Sequence, residues 1–232
     1  MAGPAAGEIE RDALRRRLDD GLAQMDPAIG AALDGAARER LIAYLVLLAR
    51  WNRAYNLTAV RDPMAMVPRH LLDSLAVLPW MPPEYGPLLD AGTGAGLPGI
   101  PLAIARPGLR LTLLDGNGKK TRFVRQAALE LGLTNVEVIH ARLETYRPAV
   151  RFGTIVARAV ASLAQMYTAC THLAAANARL LALKGRLPEH EIAALRASPE
   201  PPLRIDCHPL SVPLLDGERN LIEIRFHPGA HG

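Results

Sequence analysis

Cysteine is nearly absent: Cys170 and Cys207 stand alone in 232 residues, too few for a disulfide framework or a four-cysteine metal site. Lysine is scarce too, confined to Lys119, Lys120 and Lys184, so arginine supplies most of the positive charge. Long apolar runs are missing. The longest, Leu41 to Ala49, falls far short of the roughly 20 residues a bilayer span needs. The N-terminal stretch MAGPAAGEIERDALRRR carries early acidic residues and no apolar segment, so no secretory leader is expected and a cytoplasmic location follows. No repeat or low-complexity tract occurs. What remains is a globular balance, 50% hydrophobic and 22% charged, which excludes disorder and collagen-like folds. The length fits one large domain, or one domain with an appendage. A net charge of +4 tolerates a polyanionic partner without demanding one.

The first eighty residues read as helical. Leu41, Tyr44, Leu45, Leu48 and Trp51 fall at helical spacing between Gly35 and Tyr55, behind Asp34 as N-cap. Asp62-Pro63 is a second start signal, Asp capping and Pro at the first helical position. Pro68 predicts a kink or a fresh start, and Arg69 to Leu78 continues as helix until Pro79, Pro82 and Pro83 end it. The segment from Pro79 to Pro87 is the expected boundary between an N-terminal helical extension (1–80) and the main domain (81–232). Beyond it the pattern alternates. Strands are expected at Leu88–Ala91, Leu111–Asp115, Val136–His140, Thr154–Ala157 and Arg179–Leu183. Helices are expected at Leu97–Ala105, Lys119–Leu131, Leu163–Ala175 and Glu189–Arg196, with extended segments near Arg204–Val212 and Asn220–Phe226. Such alternation implies an α/β fold: a mostly parallel sheet of about seven strands, covered on both faces, with ligands at the carboxyl ends of the strands.

The segment LLDAGTGAGLPG, Leu88 to Gly99, is a strand running into a glycine-rich loop. Gly94, Gly96 and Gly99 fit the dinucleotide fingerprint, with Asp115 about 20 residues on, but a glycine-rich stretch yields that match easily. The arrangement from Gly92 is more telling. An acid at the strand end followed by Gly92, Gly94 and Gly96 resembles the first motif of class I S-adenosylmethionine-dependent methyltransferases, a Rossmann-like fold. In that reading the nearby carboxylate of Asp90 suits a sulfonium cation. Asp115, ending the second strand, fits a ribose diol or a helix N-cap. Glu144, after the third strand, fits a nucleoside-base contact or a solvated helix-start acid equally.

Together the stretches WNRAYNLTAVRDP, RHLLDSLAVLP, LLDAGTGAGLPGIPLAI, LLDGNGKKTRFVRQ, ELGLTNVEVIHARLE, ARAVASL and LALKG resemble the bacterial ribosomal RNA small subunit methyltransferase G family, also called glucose-inhibited division protein B. They occur in that family's order from Tyr44 to Phe226; RHLLDSL joined to GTGAGLPGIPLA is far more specific than any glycine motif. Two places depart from the family: Pro68, and Ala174-Ala175-Ala176-Asn177 before the fifth strand. The resemblance implies methylation of N7 of the guanine at position 527 of 16S rRNA, with S-adenosylmethionine as donor and no metal. It places cofactor contacts at Gly92, Leu97, Leu143, Glu144 and Arg158, with Asp115 at the ribose. The implied partner is 16S rRNA or the small ribosomal subunit, not a membrane, and a monomer is favoured.

The remaining chemistry is read from residue types. Lys119, Lys120, Arg122 and Arg125 form a basic cluster at the mouth of the sheet, either a solvated helix face or phosphate contacts. Arg69 and His70 are candidates for the opposite wall of an RNA groove. His70, Asp73 and Ser74 share helical spacing, for which fixing the N-terminal helices competes with catalysis. The segment ARAVASL lacks the acid or amide with Pro-Pro-aromatic that amine methylation calls for, and neither cysteine is placed for covalent catalysis. No general base is expected. Competing readings are a methyltransferase acting on another RNA, a small molecule or a protein, a nicotinamide-dependent oxidoreductase, and a non-enzymatic RNA-binding module.

Overall fold

The N-terminal helices begin where the sequence provides caps. In the computed structural model, which describes residues 6–81, 86–158 and 161–227, α1 spans Ala6–Leu22 and α2 spans Pro27–Ala31. Helix α3 spans Gly35–Tyr55, and the Asp34 carboxylate accepts from the Ala37 N–H at its start. Asp62 accepts likewise from the Met64 N–H ahead of α4, Pro63–Met66, with Pro63 at the first position as expected. The sequence offers little about the first thirty residues, yet Leu14 and Leu18 of α1 are fully buried.

Pro68 produces a widened turn rather than a break. Residues Val67–Leu72 form a π-helix, followed by one α-helical turn, α5, at Asp73–Leu75. Proline has no N–H to give the preceding turn and its ring crowds that turn's carbonyl, so the chain takes an extra residue per turn there. The helix expected through Leu78 therefore ends early, and Leu78–Trp80 is a tight 3-10 turn. Of the proposed boundary segment, residues 82–85 lie outside the described residues.

The second part is a seven-stranded sheet in the order β3-β2-β1-β4-β5-β7-β6. The strands are β1 (Leu88–Ala91), β2 (Leu111–Asp115), β3 (Val136–His140), β4 (Phe152–Arg158), β5 (Ala174–Lys184), β6 (Arg204–Pro209) and β7 (Asn220–Arg225). Strands β1 to β5 are parallel; β7 enters antiparallel between β5 and β6. The dinucleotide-binding order 3-2-1-4-5-6 lacks that inserted antiparallel strand. Helices α6 (Gly99–Ala105), α7 (Gly118–Glu130), α8 (Leu163–Cys170) and α9 (Glu189–Arg196) cover the faces. The sequence predicts α8 through Ala175, but it stops at Cys170 and Ala174 already pairs with Phe152. The register between β4 and β5 shifts between Phe152 and Thr154, and Asn177 adopts φ +61°, so the excess residues of β5 are absorbed in a bulge.

Strand alternation sorts the core. Leu88, Leu111, Leu113, Val156 and Leu181 join the N-terminal helices, α6 and α7 in one apolar cluster. Leu89, Ala91, Leu114, Ile155, Ala157 and Leu180 face the other way, onto α8 and α9. The helical extension thus shares its core with one face of the sheet. Tyr44 of α3 is fully buried within it, and its hydroxyl donates to the Ala95 carbonyl at 2.7 Å in the glycine loop. Tyr44→Phe leaves that carbonyl without its partner and is expected to cost about 1–3 kcal/mol in urea unfolding. A variant as stable as the native chain would show that the bond contributes nothing.

Candidate active site

The loop after β1 is held from below by one carboxylate. Asp90 is fully buried; its Oδ2 accepts from the Thr93 hydroxyl at 2.6 Å and the Gly99 N–H at 2.8 Å. Burial pushes its pKa up to about 6, against the opposing pull of the Thr93 and Gly99 hydrogen bonds and the Arg158 charge. Gly99 is required for this approach: a Cβ there would lie 2.2 Å from Leu113 Cδ2 and 2.6 Å from Asp90 Oδ2. From the neighbouring strand Asp115 holds the loop's crest, Oδ2 accepting from the Gly94 N–H at 2.9 Å. Gly94 sits at φ +59°, where a side chain is strained although space is available. Oδ1 of Asp115 accepts from the Asn117 N–H at 2.7 Å. The N-cap of α7 is Asn117, not Asp115, since the Asn117 amide oxygen takes the Lys119 and Lys120 N–H groups.

A cavity of about 670 Å³ opens over this loop at the carboxyl ends of β1, β2 and β3. Gly92, Asp115, Leu143 and Glu144, all singled out from the sequence, line it together with Ala91, Gly116, Ala141 and residues of α8. Leu143 and Glu144 reach it from a 3-10 turn, Leu143–Thr145, directly after β3. Two polar residues of the lining, Gln165 and Thr168, were not foreseen. Their signal is the Ser-x-x-Gln pattern of Ser162 and Gln165, which forms a capping box and fixes where α8 begins.

Asp90, Gly94, Gly96, Leu97 and Arg158 do not line that cavity. Asp90 follows Leu88 onto the sheet face covered by the N-terminal helices, so it supports the loop and does not face a sulfonium in the cavity. Leu97 is 4% exposed and packed in the same cluster. Arg158 shares the face of Val156, and its Nη1 donates to the Arg69 carbonyl at 3.0 Å and to Asp73 Oδ2 at 3.1 Å. It ties β4 to the helical extension rather than contacting the cavity.

The two candidate basic walls fare differently. Lys119, Arg122 and Arg125 are exposed along α7 and Lys120 is half-buried; the helix starts beside Asp115 at the cavity lip. Arg125 also donates through Nη2 to the Val138 carbonyl at 3.2 Å. Arg69 is exposed, but His70 is 5% exposed and its Nε2 pairs with Thr58 Oγ1 at 2.9 Å. Burial foremost, aided by the Arg158 charge, lowers its pKa to about 4, so it is neutral near pH 7 and offers RNA no charge. Among the described residues no cluster of three or more potential metal ligands occurs.

The sequence pattern of the family described as GidB, rRNA small subunit methyltransferase G, matches residues 37–221. The chain belongs to this family. The Ribosomal RNA small subunit methyltransferase G of Alkalilimnicola ehrlichii is 55% identical over 195 residues, 84% of this chain and 86% of that protein. The protein of the same name from Marinobacter nauticus is 50% identical over 206 residues, 89% of this chain and 92% of that one. Among solved structures, a methyltransferase from Geobacter sulfurreducens aligns with TM-score 0.54 at 17% identity, covering 79% of this chain and 90% of its own. That likeness supports the fold alone. The protein is a methyltransferase, and its methyl donor is S-adenosylmethionine.

The buried Asp90 makes a pH prediction. Its folded pKa lies above the unfolded value, so its ionisation opposes folding as pH climbs from about 4 through about 6. Asp90→Asn keeps the acceptor for Thr93 and Gly99 and removes the charge. Its stability relative to the native protein is therefore expected to rise by about 2–3 kcal/mol between pH 4 and pH 7 in urea unfolding. A difference that stays constant across that range would show that Asp90 is not perturbed.

Proposed function

We propose that the protein methylates N7 of the guanine at position 527 of 16S rRNA, acting on the RNA or on the small ribosomal subunit in the cytoplasm. The observation that carries this reading is the cavity beside the glycine loop, whose lining from β1, β2 and the turn after β3 falls within the stretches that resemble the family. Its small apolar walls, Ala141, Leu143, Ala164 and Ala169, suit a flat adenine slot, with Glu144 and Gln165 at hand for the base edge. Asp115 has two of its roughly four lone-pair directions in use, leaving room for a ribose diol. Gly92 lets the backbone approach the methionine portion. Bound there, the donor supplies an electrophilic methyl on a sulfonium.

The protein's own residues then orient rather than transfer protons. Guanine N7 carries an in-plane lone pair and no proton to lose, so alignment of nitrogen, methyl and sulfur is the main requirement. Cys170 is fully buried, its thiol pushed up to about 12 chiefly by burial, which removes it as a nucleophile for carbon methylation. Cys207 lies on β6, at the far edge of the sheet. His70 is committed to Thr58. The exposed stripe of α7 supplies phosphate contacts on one flank, and two lysines in its first turn, where the helix dipole disfavours cations, favour a nearby anion. Because A-form RNA hides its deep groove, the target guanine is reached in a single strand or turned out of its helix.

Mapping N7-methylguanosine in rRNA from cells with and without the gene tests the assignment: the modification at position 527 is expected to vanish without it and return on complementation. Persistence of the mark would overturn the reading. Calorimetry tests the pocket. Asp115→Ala is expected to weaken donor binding by about 1.5–3 kcal/mol, and Gly94→Val to weaken it through backbone strain. Unchanged affinity in both would move the site elsewhere. Single-turnover methylation with both substrates saturating is expected to stay nearly flat between about pH 6 and 8.5. A tenfold rise following one ionisation, abolished by His140→Ala, would install that histidine as a base.

A further inference from the structure

Tyr55, in the last turn of α3, ends a row of three rings. Its centroid lies 5.3 Å from that of Trp51, and Trp51 stands 5.6 Å from Phe123 of α7. Phe123 is fully buried and Trp51 half-buried, whereas Tyr55 is 42% exposed. Among the described residues it is the one aromatic ring in the set of large, exposed apolar side chains. The end of α3 is held firmly. Asn52 takes the Thr58 N–H on its Oδ1 at 2.9 Å and gives Nδ2 to the Val60 carbonyl at 3.2 Å, folding the next loop back on the helix. Asn56 closes the helix in the left-handed region, and its Oδ1 accepts from Arg61 Nη2 at 3.4 Å, which draws that guanidinium beside Tyr55.

The same loop fixes where the ring stands. Thr58 Oγ1 pairs with His70 at 2.9 Å, and the neighbouring Arg69 carbonyl meets Arg158 at the end of β4. The end of α3 therefore lies at the carboxyl edge of the sheet, where α7 also starts. Charge decides the partner. From Arg40 to Arg61 the chain carries four arginines and no acidic residue. Arg50 meets Glu130 at 3.9 Å, and Asp62, the next acid along the chain, is turned to the Met64 N–H. Arg53 and Arg61 are exposed, and α7 adds exposed Lys119 and Arg122 one turn before and directly beside Phe123. An exposed ring among cations of one sign suits a nucleic acid, whose bases offer a π-face and whose phosphates take the charge.

We propose that Tyr55 stacks an unpaired base of the RNA strand that carries the target guanine, with Arg61 holding the phosphate beside that base. The proposal rests on the RNA reading of this protein. Tyr55 does not line the cavity, so the stacked base is a neighbour of the target and not the target itself. Stacking tolerates any base; it fixes the path of the strand while the cavity receives the guanine.

The test uses the full-length protein and small ribosomal subunits from cells lacking the gene. Tyr55→Ala is expected to raise KM for subunits about tenfold with a smaller change in kcat. Donor affinity by calorimetry should stay unchanged. Tyr55→Phe keeps the ring and should restore KM. Tyr55→Leu keeps apolar bulk without the π-face and should restore little; it also serves if the alanine variant does not fold. Arg61→Gln should flatten the log–log dependence of subunit binding on salt by about 0.7–0.9, the loss of one phosphate contact. A folded Tyr55→Ala protein with native KM would reduce the ring to a cover for Trp51. Full recovery with leucine would give the patch to an apolar protein surface of the subunit, and either result overturns the proposal. A native protein that binds the donor but never methylates subunits would instead overturn the reading beneath it.

Discussion

The two-residue period of the central strands divides the labour of the site. Along β1, Leu88 and Asp90 point to the face covered by the N-terminal helices, while Leu89 and Ala91 point to the face of α8. Along β4, Val156 and Arg158 take the first face, and Ile155 and Ala157 the second. Every charged group on these two strands therefore lies on the supporting side. What reaches the cavity from β1 is Ala91 and the glycine backbone, so this strand adds no charge to its wall. Shifting either strand by one residue would exchange the two sets and put a carboxylate and a guanidinium into the cavity.

That arrangement makes the helical extension part of the site. A buried carboxylate is costly unless hydrogen-bonded or paired: Asp90 is met by Thr93 and Gly99, and Asp73 of the extension by two arginines of the sheet domain. The Asp90 support is capped by α6 and bordered by Tyr44, whose hydroxyl secures the loop at Ala95. Asp73, from the turn after the π-helix, pairs with arginines 85 and 146 residues away in sequence. The Arg158 charge also acts at a distance: it opposes the rise at Asp90 and reinforces the depression at His70. One guanidinium thus makes the supporting carboxylate easier to ionise and adds to the burial that keeps the neighbouring imidazole neutral.

Much of this was legible where a local rule decides the outcome. Asp34 and Asp62-Pro63 announce helix starts because a short acceptor beside free N–H groups has few other uses. Asp115 and Glu144 could be put beside the cavity because strand ends and the turns after them make the ligand edge of such a sheet, whereas Gly92 and Leu143 are named as contacts through the resemblance; all four line the cavity. The errors arose where two rules compete. Pro68 reads as a kink, but packing against α1 keeps the segment helical and the chain widens into a π-turn. Alanines 174 and 175 read as helix by propensity, but Phe152 offers a strand edge and pairing wins. Asp90 is placed by its position at a strand end and Arg158 by the resemblance; counting alternate residues from the apolar Leu88 and Val156 puts both on the face of the N-terminal helices. His70 reads both as part of an RNA groove wall and as a residue fixing the N-terminal helices; its burial and its bond to Thr58 favour the second.

The division between faces also explains why a methyl-transfer site of this kind uses so few titrating groups. Nucleophilic attack by a ring nitrogen moves positive charge from sulfur to the base, so total charge in the cavity does not change. A strong carboxylate facing the methyl would stabilise the ground-state sulfonium and lower the gain at the transition state. Keeping Asp90 behind the loop avoids that ground-state trap while its hydrogen bonds still fix the backbone that must align the donor. Asp115 and Glu144 line the cavity at the end of β2 and in the turn after β3, the positions given to the polar nucleoside portion in the proposed function. The exposed cations of α7, Lys119, Arg122 and Arg125, stand outside the cavity beside its lip. Rate in such a site depends on how rigidly the loop and the base are held, and that rigidity descends from the buried carboxylates on the far side of the strands.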